Sequence, residues 1–150
     1  MSIDQAFNYR EVSKSIAIAG LLQPEQLAEL GAAGVDMVIN LLPDSSEHAI
    51  LGEKKIVEDQ GIEYCYIPVD FAAPQLKDYE QFKEVMSRAG DKKLLIHCAA
   101  NYRVSAFYSQ YAQETGVWDA NEAEQFVGSI WNPNDYPGWS EFLIAVKNSG

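Results

Sequence analysis

The chain has 150 residues, 47% hydrophobic and 22% charged, the make-up of one ordinary globular domain, which excludes disordered, collagen-like and disulfide-knot classes. With 11 Lys and Arg against 22 Asp and Glu, the formal net charge is −11, a field that repels polyanions and argues against nucleic-acid binding. No apolar run approaches the roughly 18 residues of a membrane span, so no membrane insertion is expected.

Strand and helix signals alternate along the chain. MSIDQAFNYR lacks the basic start and apolar core of a secretory leader, so the expected location is cytoplasmic, or periplasmic had a leader been removed. KSIAIAG (14–20) reads as a short strand, and Pro24 opens an amphipathic stretch with Leu27 and Leu30 that stops at Gly31 and Gly34. VDMVINLL (35–42) is a second strand, closed by Pro43 and Asp44. Residues 47–60 read as a helix burying Ile50, Leu51, Ile56 and Val57, followed by the strand IEYCYIPV (62–69). The clearest helix spans 75–90, with Leu76, Tyr79, Phe82, Val85, Met86 and Ala89 in one stripe and Gly90 as its stop. LLIHC (94–98) is an apolar strand, and 104–115 is a helix with Val104, Tyr108, Tyr111 and Thr115 on one face. Two more helices, 120–131 and 138–147, flank the turn-rich WNPNDYPG. This alternation predicts one α/β domain over 1–150, with a mainly parallel sheet of four to five strands flanked by helices.

In such sheets ligands sit beyond the carboxyl ends of the strands. Strand 94–98 ends in His97-Cys98-Ala99-Ala100-Asn101-Tyr102-Arg103-Val104-Ser105. Successive N–H groups of a tight loop leading into a helix form an anion-binding nest, and the same potential favours the thiolate, which is the nucleophilic form of cysteine. Arg103 adds a planar fork that holds two oxygens of a tetrahedral oxyanion. A cation at a helix start opposes the helix dipole, so a bound anion explains Arg103 better than a plain surface role does. Candidate substrate-binding residues are therefore Ala99, Ala100, Asn101, Tyr102 and Arg103. The two cysteines and two histidines have no metal-ligand spacing, and no metal or cofactor is expected.

This stretch resembles the protein tyrosine phosphatase superfamily, and most closely its dual-specificity branch. VINL at the end of an early strand, IPVDF before the long helix and HCAA entering the loop are also similar to the bacterial phosphatase-like domain found attached to beta-lactamase-hydrolase-like proteins. The resemblance covers about residues 14 to 115. The superfamily pattern has five residues between Cys and Arg, a central Gly, and Ser or Thr directly after Arg. Here four residues intervene, no Gly is present, and Ser105 stands two positions after Arg103. The bacterial domain shares the shorter spacing, and Asn101 is suited to the left-handed backbone that the Gly would supply.

The resemblance implies a cysteine-phosphatase-like fold and a hydrolase with Cys98 as nucleophile. It also implies a general acid from a loop some 30 residues upstream, where Asp70 stands in PVDFAAP, in a loop that Phe71 and Pro74 make stiff and partly apolar. The expected partner is a phosphorylated small molecule or a phosphoprotein. His97 is read as a hydrogen-bonder behind the loop. Ser105 is read either as support for the thiolate or as a helix hydroxyl bonded to the preceding turn. Cys65 reads as core, Asp44 as a turn residue, and Trp118, Trp131, Trp139 and Tyr136 as packing for the last helices. A rhodanese-type sulfurtransferase and a catalytically silent phosphate-binding module remain open alternatives.

Overall fold

Among the described residues five strands, β1 (Arg10–Glu11), β2 (Ile16–Ala19), β3 (Met37–Asn40), β4 (Glu63–Tyr66) and β5 (Leu94–His97), make one sheet in the order β1-β2-β5-β3-β4. The computed structural model describes residues 2–149. The pairs β2–β5, β5–β3 and β3–β4 are parallel, and β1 runs antiparallel along β2. The expected α/β sheet is therefore present, with an added edge strand of two residues, too short to leave any periodicity in the sequence. β3 (MVIN) and β5 (LLIH) are buried at every position, as strands covered on both faces must be.

Among the described residues six α-helices surround the sheet or pack on one another: α1 (Pro24–Ala28), α2 (Glu53–Glu58), α3 (Leu76–Ala89), α4 (Tyr102–Glu114), α5 (Ala120–Gly128) and α6 (Pro137–Ser149). Successive strand residues point to opposite faces, so the core divides in two. Val38 and Leu95 pack with Leu22, Leu27, Leu30 and Val57 on the α1–α2 side. Ile39 and Ile96 pack with Phe82, Phe107, Trp139 and Phe142 on the other.

Four expectations change. The helix read over 47–60 is only the six residues of α2, because Gly52 at φ 76° breaks the chain just before it. Leu51, expected inside, is consequently 97% exposed. Leu76 begins α3 at its exposed end and Thr115 lies just past α4 in solvent, so neither joins its helix's buried stripe. No helix among the described residues is long and apolar enough to cross a membrane.

The sheet also sets out the site. Ala19, His97 and Asn40 are in register, so the loops leaving β2, β5 and β3 open on one edge. Past β4 the chain stays extended, with Ile67 N–H donating to Asn40 O at 2.9 Å and Val69 N–H to Leu41 O at 3.1 Å. That carries Asp70 to the same edge.

Candidate active site

The loop after β5 is fastened to the end of β2. Cys98 N–H donates to Ala19 O at 3.3 Å, and Leu21 N–H donates to Ala99 O at 2.8 Å. A Cβ on Gly20 would lie 2.9 Å from both Ala100 Cα and Ala99 O, so only glycine allows this approach. Asn101 turns the loop into α4 with φ 67° and ψ 11°, the left-handed conformation that asparagine adopts more readily than other side-chain-bearing residues. Among the described residues, none of the backbone N–H groups of residues 99–103 donates to a protein acceptor. A run of free donors entering a 13-residue helix is the electrostatic make-up of an anion nest.

Arg103, in the first turn of α4, reaches across to the loop that carries Asp70. Its Nε donates to Val69 O at 2.9 Å, and its guanidinium carbon stands 5.1 Å from the centre of the Phe71 ring. Asp70 is exposed and closes a local turn, its Oδ1 accepting from Ala72 N–H at 3.0 Å. The turn is held from behind by Trp139, whose Nε1 donates to Phe71 O at 2.8 Å. Phe71 further packs against Tyr102, Trp131, Tyr136 and Trp139. The three tryptophans do pack the C-terminal helices, and Trp131, Trp139 and Tyr136 form an aromatic bed under the Asp70 turn.

Cys98 has no accessible surface and packs at the floor of the loop within the larger core. Behind it, His97 Nε2 is 2.5 Å from Glu53 Oε2, and both side chains are buried, at 1% and 5% exposure. Glu53 escaped the sequence reading. Its signal was an acid on the inward face of α2, four positions before the buried Val57. Ser105 donates to Tyr102 O at 3.1 Å and accepts from Trp131 Nε1 at 3.0 Å, bonds that belong to the packing of its helix. Cys65 lies on edge strand β4, separated from β5 by β3, with burial pushing its thiol up. Asp44 is exposed, and its N–H donates to the Tyr66 hydroxyl at 2.8 Å.

A parallel sheet with this cysteine loop at its carboxyl edge is the fold of the protein tyrosine and dual-specificity phosphatases. The chain belongs to the DUF442 family. Two crystal structures of a DUF442 protein from Shewanella putrefaciens CN-32, a candidate phosphatase, are 36% identical to it, with TM-scores of 0.87 and 0.88. They cover 96% and 97% of this chain, which spans 91% and 95% of theirs. Tk-PTP in its active form shares the fold at 20% identity and a TM-score of 0.75, over 93% of this chain and 96% of its own. TpbA of P. aeruginosa, in complex with phosphotyrosine, does so at 16% identity and a TM-score of 0.71, over 91% and 83%. No family model and no curated protein matches the chain.

Proposed function

We propose that the chain is a cysteine-dependent phosphatase that hydrolyses a phosphomonoester through a phosphocysteine intermediate. The observation that carries this reading is the run of unpaired N–H groups over residues 99–103, bracketed by Cys98 and Arg103. Oxygens of a phosphoryl group accept from these donors and from Arg103, whose Nη1 and Nη2 have no protein acceptor among the described residues. The Cys98 thiolate attacks phosphorus. The S–P bond forms as the P–O bond to the leaving group breaks, and Asp70 delivers its proton to the departing oxygen. The resulting Asp70 carboxylate then takes a proton from water, whose oxygen attacks phosphorus and expels the thiolate. Five donors fixed before the reaction suit the charge that develops on the equatorial oxygens. TpbA holds phosphotyrosine, which makes a phosphotyrosyl peptide the first protein substrate to try, beside small phosphomonoesters.

The test compares the parent, Cys98→Ser and Asp70→Asn on phenyl phosphate, an activated aryl phosphate and thiosulfate. Cys98→Ser abolishes turnover of both phosphates. Asp70→Asn slows phenyl phosphate by about 10²–10⁴-fold and the activated ester much less, because a good leaving group departs without a proton. Persulfide formation from thiosulfate without phosphatase activity would establish the sulfurtransferase instead. Anion binding with neither activity would leave a silent module. An Asp70→Asn protein as fast as the parent on phenyl phosphate would remove Asp70 from the acid role.

A further inference from the structure

Two asparagines far apart in sequence close a reciprocal bond at the loop. Asn8 Nδ2 donates to Ala100 O at 3.0 Å, and Asn101 Nδ2 donates back to Asn8 O at 2.8 Å. They are also the two residues other than glycine, among those described, with positive φ, 52° at Asn8 and 67° at Asn101. The adjoining Phe7 completes the junction, its carbonyl accepting from Gly20 N–H at 2.7 Å while Gly20 lies against Ala100. The N-terminal segment, the end of β2 and the cysteine loop therefore meet at one point.

Backbone geometry alone does not account for Asn101. A glycine adopts φ 67° with no strain and buries no amide. Asn101 is fully buried, and its Oδ1 is a buried side-chain oxygen with no hydrogen-bond partner among the described residues. An unsatisfied buried acceptor is a cost, and the bond that offsets it is the one Nδ2 makes to Asn8. We propose that Asn8 and Asn101 act as one positioning clamp that holds the 99–103 loop open as an anion cradle, making the N-terminal segment a working part of the site. The loop has four residues between Cys98 and Arg103, and five free N–H groups must be kept aligned with no protein acceptor to align them. The clamp supplies that alignment from outside. This inference rests on the phosphatase reading for its functional meaning, but its structural core can be measured apart from activity.

The experiment uses Asn8→Gly, Asn101→Gly and the double variant, glycine being chosen because both positions keep their positive φ. Vanadate affinity, kcat and KM on the activated aryl phosphate, amide hydrogen exchange over 98–103, and Tm are measured on each. Each single variant is expected to bind vanadate about 5–20-fold more weakly and to exchange the loop amides faster, while exchange in α3 stays at the parent rate. The double variant is expected to lose less than the two singles added together, since the two bonds close one junction. The fall should be in kcat/KM with Tm within a few degrees of the parent, which a general loss of stability would not give. If Asn101→Gly binds vanadate as tightly as the parent and its loop exchanges no faster, Asn101 serves only as a left-handed residue and the clamp is overturned. If the parent binds vanadate but turns over no phosphate, while the variants bind it more weakly and loosen the loop, the phosphatase reading fails and the clamp stands.

Discussion

Arg103 spends one donor and one face of its guanidinium on the chain itself, through Val69 O and the Phe71 ring. Its terminal nitrogens have no protein acceptor among the described residues, and the bond from Nε fixes the plane in which they lie. Arg103→Ala should weaken vanadate binding by about 2–5 kcal/mol, the usual effect of removing one partner of a desolvated charge pair. Arg103→Lys should recover only part of that loss. An ammonium has no Nε to bond Val69 O while also offering a planar pair of donors. Titration calorimetry with vanadate separates the three proteins, and equal affinity in the alanine variant would reduce Arg103 to a residue that steadies the Asp70 turn.

At the level of elements, the Asp70 turn is shaped less by its own sequence than by α6 lying behind it. Trp139 is fully buried and bonds Phe71 O, and a Cβ on Gly138 would lie 2.5 Å from Ala72 O. Trp139→Phe leaves that carbonyl without its donor and lets the turn drift. We expect turnover of phenyl phosphate to fall by about 10–100-fold, since small displacements of a catalytic group are costly. Vanadate affinity should change by less than about twofold, because the loop donors and Arg103 keep their positions; equal losses in both would mean that α6 supports the whole pocket. This division also explains what the sequence makes visible. β3, β5 and α3 are legible because burial repeats at short intervals along one segment, and the Cys98–Arg103 loop because its parts are neighbours in the chain. Glu53 behind His97, Asn8 beside Asn101 and Trp139 over Phe71 are contacts between residues 44, 93 and 68 positions apart. Nothing local marks such pairs. Leu51 shows the converse, since its apolar character suggested burial until the turn at Gly52 carried it into solvent.

Over the molecule as a whole, the titrating groups give stability an acid edge, partly offset, and an alkaline edge that is not. The Glu63 carboxyl is held below its usual range by the bond from Arg88, with Lys92 adding to it. Glu114 is also lowered, because burial, which acts to raise it, is outweighed by bonds from Tyr79, Gln110 and Lys83. Both contribute stability that is full above the ordinary carboxylate range and is lost as pH falls through their lower folded values. Burial raises Asp78, which works in the opposite sense and softens the acid edge. The alkaline edge has no such compensation. Burial first, then Glu11, pushes Tyr9 up to about 12, and burial likewise raises Tyr64, Tyr79 and Tyr108, with Glu114 adding to the effect at Tyr79 through a 2.5 Å bond. The folded chain therefore keeps protons that the unfolded chain releases near pH ~10, so stability is full below that pH and falls as pH rises above it. Each such group steepens the fall until its own folded value is reached. Self-repulsion in a chain already at −11 acts in the same direction. Tm followed by circular dichroism should be nearly level between about pH 7 and 9 and drop steeply above about 10. Part of the tyrosinate absorbance should emerge only together with unfolding. Tyr79→Phe, which cannot ionise, should make the drop shallower even where its Tm at neutral pH is lower. Complete tyrosinate formation while the circular dichroism is still that of the folded chain would show that these rings ionise in place, and the steep alkaline edge would then have to come from charge repulsion alone.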